Sequence, residues 1–234
     1  LAFKSGNHDI AEAMLTKALK LDPTYSLAWA NLAQVFSVTG QLDKAKKSFK
    51  NILNMEPKNG LIWAEYGTVL TKLANYEEGR DAYLKALEFK PDSPRVHLSL
   101  GHVYKTMGEI DNSIDSYKNT ILQNNLSGEA YWSLANLKTY SFSENEIKDM
   151  EDTLKGDMSD IERSQMHFAL GKAYEVKKDF DKSFKNYYEG NKVKKGLIKY
   201  SSDDTTDNTK RILNFFNKEN IQKLAKSSTG DRDP

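Results

Sequence analysis

The chain has 234 residues, 38% hydrophobic and 29% charged, which is the composition of an ordinary water-soluble domain with a core to bury. A formal net charge of +1 gives no global attraction for nucleic acid or an acidic membrane. The absence of cysteine excludes disulfides, thiolate catalysis and cysteine-ligated zinc. No apolar run approaches the ~20 residues that cross a bilayer, and no signal peptide is visible, so the protein is expected in the cytoplasm. The first residue is Leu1, inside a helical pattern, so the stretch is expected to be a fragment of something longer.

Residues 1–24 read as the second helix of a pair, with Gly6 at its start, Ala11, Leu15 and Ala18 on one stripe and Pro23 closing it; a native capping helix is the alternative. Residues 25–57 give two amphipathic helices joined at Gly40. Trp29, Leu32, Ala33 and Phe36 share the first stripe, Ala45, Phe49 and Ile52 the second, and Pro57 stops the pair. The spelling then recurs with a period of 34 residues: Pro23, Pro57 and Pro91 mark it. Residues 58–91 repeat the stripes with Trp63, Tyr66, Gly67, Leu70, Gly79, Tyr83 and Ala86. Residues 92–125 do so with His97, Leu100, Gly101, Tyr104, Ser113, Tyr117 and Thr120. A helix pair this small cannot bury both of its apolar stripes alone, so the pairs are expected to stack.

Residues 126–160 form an atypical unit. Tyr131, Leu134 and Ala135 keep their places, but Lys138 stands where an aromatic side chain is due. Ser143 with Glu146 and Ser159 with Glu162 spell two capping boxes. Residues 161–195 return to the pattern through His167, Leu170, Gly171, Tyr174, Ser183 and Tyr187, two residues late, and the extra pair is expected in the turn around Gly156–Ser159. Beyond it, 201–208 reads as a polar loop. Ile212, Leu213, Phe215 and Phe216 mark a helix from about 205 to 217, and Ile221 and Leu224 a further short one. Residues 196–226 are thus expected to cap the open end, and 227–234 to be a linker.

The shared spelling W-x2-L-G-x2-Y, A-x3-F, P at a period of 34 resembles the tetratricopeptide repeat. The resemblance implies an all-α fold, a right-handed superhelical solenoid of antiparallel helix pairs, with small residues such as Ala33, Gly67 and Gly101 allowing close helix approach. Emptying the site of Trp29 or Trp63 is expected to cost about 3–5 kcal/mol. It also implies a concave groove lined by positions one and five places after the tryptophan slot, together with their neighbours. The groove residues are then Leu27, Asn31, Gln34, Glu65, Thr68, Arg95, Leu98, His102, Trp132, Asn136, Phe168 and Lys172. Ala30, Ala64, Ser99 and Glu129 fall alongside them. The implied partner is a protein or peptide, with no nucleic acid and no membrane, and Trp132 and Phe168 either anchor it or lie under the C-terminal helices. Chaperone adaptors with this repeat clamp a carboxylate through Lys, Arg and Asn, and only Asn136 matches them closely. The asparagine ladder of O-linked GlcNAc transferases would start at Asn31 but is not continued by Glu65, Ser99, Ser133 or Ala169.

Residues 130–147, 166–184 and 187–191 are moreover similar to the repeat region of bacterial proteins in which such repeats precede a sulfotransferase domain. That resemblance covers about residues 128–234 and implies a non-catalytic half of a larger enzyme. Nothing in the residues themselves points to chemistry: no phosphate loop, H-E-x-x-H or G-x-S-x-G run is present, so no catalytic, cofactor-binding or metal residue is expected. Of the histidines, His97 and His167 stand in the tryptophan slot and read as packing. The run Lys177, Lys178, Lys182, Lys185, Lys192, Lys194 and Lys195 reads as a solvated face or as a patch for an acidic partner.

Overall fold

A computed structural model describes residues 7–198, 202–218 and 220–222. Gly6, Leu224 and the 227–234 linker lie outside the described residues. Twelve helices and no strand occur among the described residues. They are α1 His8–Leu21, α2 Ser26–Val38, α3 Leu42–Met55, α4 Gly60–Lys72, α5 Tyr76–Phe89, α6 Pro94–Met107, α7 Ile110–Gln123, α8 Gly128–Ala135, α9 Glu144–Thr153, α10 Asp160–Val176, α11 Phe180–Leu197 and α12 Ser202–Phe215. Contacts divide the chain into one unit ending at Val193 and a second beginning at Lys194.

In the first unit the helices pair in series as a helical solenoid. α2 packs on α3, α4 on α5 and α6 on α7, and each pair rests on the next through α3–α4, α5–α6 and α7–α8. The reason lies in the stripes. Leu32, Ala33 and Phe36 of α2 meet Ala45, Phe49, Ile52 and Leu53 of α3 in one cluster, which Tyr66, Val69 and Leu70 of α4 extend. Further clusters follow around Tyr83, Leu100 and Val103 and around Tyr117, Leu134, Met150, Met166 and Leu170. The core is therefore a string of clusters, as expected when each repeat touches only its neighbours. The turn inside a pair needs a left-handed residue. Gly40 (φ +76) and Gly108 (φ +81) supply it at no steric cost, whereas Ala74 and Lys178 adopt it with a Cβ.

The tryptophan slot differs from expectation. Trp29 and Trp63 are only partly buried at the edge of the core. Each indole N–H donates to the carbonyl of the repeat-closing proline, Trp29 to Pro23 at 2.9 Å and Trp63 to Pro57 at 2.8 Å. An indole carries a donor that must be satisfied, and the proline carbonyl provides the acceptor at the surface. The deeply buried aromatics are instead on the second helices: Phe49, Tyr83 and Tyr117, the last fully inaccessible.

The fourth unit breaks the regular pairing. α8 stops at Ala135 after eight residues, and Asn136 caps it with its amide donating to the Trp132 carbonyl at 2.7 Å. The chain then runs irregularly through 136–143, and Leu137 and Phe142 from this loop enter the core. Phe142 packs edge-on to Tyr140 and tilted on Tyr131. Lys138, at the position where an aromatic was due, is exposed. α8 packs along α10 rather than α9. At Gly128 an added methyl would lie 2.2 Å from the backbone oxygen of Glu162, so only glycine permits this approach.

The two capping boxes came out differently. Ser143 and Glu146 form a complete one at the start of α9. Ser159 accepts from the Glu162 N–H at 3.3 Å. The Glu162 carboxylate, however, turns away to accept from the amides of Gly128 and Glu129, capping α8 from a neighbouring repeat. The connection from α9 to α10 spans 154–159, against 56–59, 90–93 and 124–127 between the earlier repeats. Arg163 closes it by donating to the carbonyls of Leu154 (2.7 Å) and Gly156 (3.0 Å).

In the second unit, the stretch expected as a polar loop is helical from Ser202 onward. Thr206 and Thr209 hydroxyls donate to the carbonyls one turn back, at Ser202 (2.8 Å) and Thr205 (2.9 Å). These polar side chains satisfy themselves locally within the helix, and Asp203 suits its positive N-terminal end. Phe215 and Phe216 pack edge to face, and residues 220–222 are again helical.

Candidate binding face

Glycine–tyrosine contacts organise the face formed by the first helices of the pairs. Rings from the second helices lie directly over glycines of the first: Tyr83 over Gly67, Tyr117 over Gly101 and Tyr187 over Gly171. The serine one turn earlier ties the same pairs together, Ser113 donating to the Gly101 carbonyl at 2.9 Å and Ser183 to that of Gly171 at 2.8 Å. Each phenol then passes the glycine and meets a polar group beyond it. Tyr83 donates to the Thr68 hydroxyl at 3.1 Å, Tyr117 is 2.9 Å from His102 Nδ1, and Tyr187 donates to Glu175 at 2.9 Å. Burial, reinforced by Glu175, raises the Tyr187 phenol; burial, with a smaller push from Glu129, raises that of Tyr117 against the opposing hydrogen bonds of Ser113 and Ser133. These hydroxyls were missed in the sequence, where the tyrosines read as core alone. A ring set over a glycine leaves its far end free to pass between helices, but only the observed helix spacing shows that it does.

Two adjoining depressions, of about 340 and 290 Å³, lie on this face across α4, α5 and α6 and share Thr68, Tyr83, Arg95 and Ser99. Of the residues singled out above, Gln34 and Glu65 border the larger depression and His102 the smaller. Arg95 faces Glu65 at 3.5 Å. His102 Nε2 lies 3.3 Å from Glu129, linking α6 to α8. The hydrogen bond from His102 holds the Glu129 carboxyl below its ordinary range, against the opposing effect of burial.

The remaining candidates lie outside these depressions. Leu27, Asn31 and Asn136 are exposed, while Leu98 is partly buried against the cluster around Tyr117. Trp132 of α8 and Phe168 of α10 pack ring to ring, 5.6 Å between centroids, and both stay partly exposed. Lys172 is paired with Glu175 at 2.9 Å. In the lysine run, Lys177 pairs with Glu144, Lys182 with Asp179 and Lys192 with Glu189, which is how a solvated face behaves. His97 keeps the slot of the tryptophans, bonded to the Pro91 carbonyl, and burial lowers its pKa. No group of three or more His, Asp or Glu able to hold a metal ion occurs among the described residues. No helix among them is long and apolar enough to cross a membrane.

Serial hairpins with this glycine register define a helical-repeat protein of the kind that presents one face for contacts. Comparison with known families gives the repeat its name. A tetratricopeptide repeat family model matches residues 2–64, and a TPR repeat model matches residues 67–108, so this part of the chain consists of tetratricopeptide repeats. No curated protein matches the sequence. Among solved structures, PilF of Pseudomonas aeruginosa is 22% identical with a TM-score of 0.60, over 79% of this chain and 83% of that one. MamA is 20% identical with a TM-score of 0.56, over 85% of this chain and 95% of that one. YrrB, described as a TPR protein with an unusual peptide-binding site, is 17% identical with a TM-score of 0.58, over 76% and 91%. At these identities the likeness establishes the fold.

Proposed function

We propose that the protein is a non-catalytic scaffold that holds an extended peptide or protein segment along the face made by α2, α4, α6, α8 and α10. The observation that carries this reading is the partly exposed Trp132–Phe168 pair, set on the same succession of first helices as the polar depressions. Tryptophan and other aromatic side chains open at a surface are frequent anchors of protein contacts. The peptide-binding site of the structurally similar YrrB supports the same assignment by analogy.

The test begins with an immobilised peptide array probed with the full chain. Trp132→Ala is then compared with the unsubstituted protein on the positive spots by titration calorimetry. Loss of an anchor costs about 2 kcal/mol or more, equal to roughly thirtyfold in Kd, with the melting temperature little changed. Unchanged affinity together with a large drop in stability would make Trp132 a core residue and overturn its role as anchor.

A second reading extends the first. The similarity of about residues 128–234 to repeat regions that precede a sulfotransferase domain supports a role in positioning substrate for such a domain. Sequencing the parent reading frame decides it: continuation past Pro234 into a glycine-containing phosphate loop is required, and a stop there ends this second reading.

A further inference from the structure

We propose that the smaller depression, between α4, α5 and α6, receives a phosphorylated side chain of the segment bound along the face. This inference rests on the peptide-binding reading above and adds the chemistry of one position on the ligand. Two cations converge on the depression, Lys72 from the last turn of α4 and Arg95 from the first turn of α6. Tyr76 and Ser99 add hydroxyls, and no carboxylate lines it among the described residues. The larger depression next to it does contain one, Glu65, so of these two depressions the smaller has the stronger preference for an anion.

The balance of used and unused donors identifies the ligand. The hydroxyls of Thr68 and Thr106 are committed to the carbonyls of Ala64 and His102, and that of Tyr83 to Thr68. His102 has both ring nitrogens engaged, by Tyr117 and Glu129. The Thr71 hydroxyl is committed to the Thr68 carbonyl, whereas Lys72, Tyr76 and Ser99 make no side-chain hydrogen bond or ion pair among the described residues. Arg95 has only Glu65, at 3.5 Å, with 74% of its side chain exposed. A pair that exposed contributes little, so the guanidinium is free to exchange it for a ligand. Two cations and two spare hydroxyls match a phosphate ester, which brings close to two negative charges and three acceptor oxygens. A single carboxylate would balance only one of the two cations, and Arg supplies a planar fork of donors that matches phosphate oxygens.

The test follows backbone amide shifts of the full chain during titration with inorganic phosphate at constant ionic strength. Matched titrations use acetate, N-acetylphosphoserine amide and N-acetylserine amide. Saturable shifts centred on Thr71, Ser99 and Thr106 are expected with phosphate and phosphoserine. Lys72→Gln with Arg95→Gln should weaken them about tenfold or more, while Lys50→Gln with Lys90→Gln leaves them unchanged. Thermal melts establish that both double variants are folded. Linear shifts spread over the lysines, insensitivity to the first double variant, acetate saturating as tightly as phosphate, or phosphate binding that phosphoserine cannot reproduce would each overturn the proposal. Peptide binding that depends on Trp132 but proceeds without any phosphate site would sink this inference and leave the scaffold reading standing.

Discussion

Replacing Tyr117 with alanine is expected to destabilise the protein by about 3–5 kcal/mol, the range for emptying a fully buried aromatic site. Tyr117 has no accessible surface. Its ring covers Gly101, and its hydroxyl is bonded to His102. Phenylalanine keeps the ring and loses only the hydrogen bond, so Tyr117→Phe should cost about 1 kcal/mol. The contact with glycine makes a sharper test. A methyl at Gly101 would come within 2.4 Å of the Tyr117 ring, so Gly101→Ala alone should cost about 1–3 kcal/mol through overpacking. With Tyr117 already alanine, the methyl enters vacated space and most of that cost disappears. Urea denaturation of the two single variants and the double variant measures this coupling. Additive losses would show that ring and glycine do not share the space.

The second large effect is expected at Phe142. Phe142→Ala should cost about 3–5 kcal/mol although the residue lies on no helix. Its ring is buried between Tyr131 and Tyr140, where α8 has ended early. The same enclosure pushes the Tyr131 phenol up to about 12. Phe142→Leu, which refills most of the volume, should recover more than half of the loss. Chemical denaturation showing less than about 1 kcal/mol for Phe142→Ala would mean that the 136–143 loop is a loose connection and contributes nothing to the core.

These two residues mark what the sequence did and did not disclose. The repeat was legible because burial alternates with the helical period: Leu32, Ala33 and Phe36, and their counterparts 34 residues on, can share a face in only one way. Tyr117 was legible as packing, but its hydroxyl was not, since the path past Gly101 depends on how closely two helices approach. Phe142 was hidden because periodicity carries no information where the backbone leaves the helix. Glu162 was misplaced for a related reason. Its spacing from Ser159 spells a local cap, yet the amides of Gly128 and Glu129 are a better-placed pair of donors once the repeats stack. Local spacing cannot rank a local acceptor site against a distant one. The depressions were half visible: Glu65, Thr68, Arg95 and His102 followed from helical position, while Lys72, Tyr76 and Tyr83 lie at helix ends or on the second helices, which positional reasoning about the first helices passes over.

Stacking the hairpins buries one side of each helix pair, and on the function proposed above the first helices are left to hold a peptide. Hydrogen–deuterium exchange of the full chain, with and without the tightest peptide from the array, tests it most directly. Added protection is expected on α4, α6 and α8, around Thr68, Ser99 and Trp132, with α3 and α7 unchanged. Protection confined to α3 and α7, with the first helices exchanging as they do in the free protein, would show that the ligand sits elsewhere.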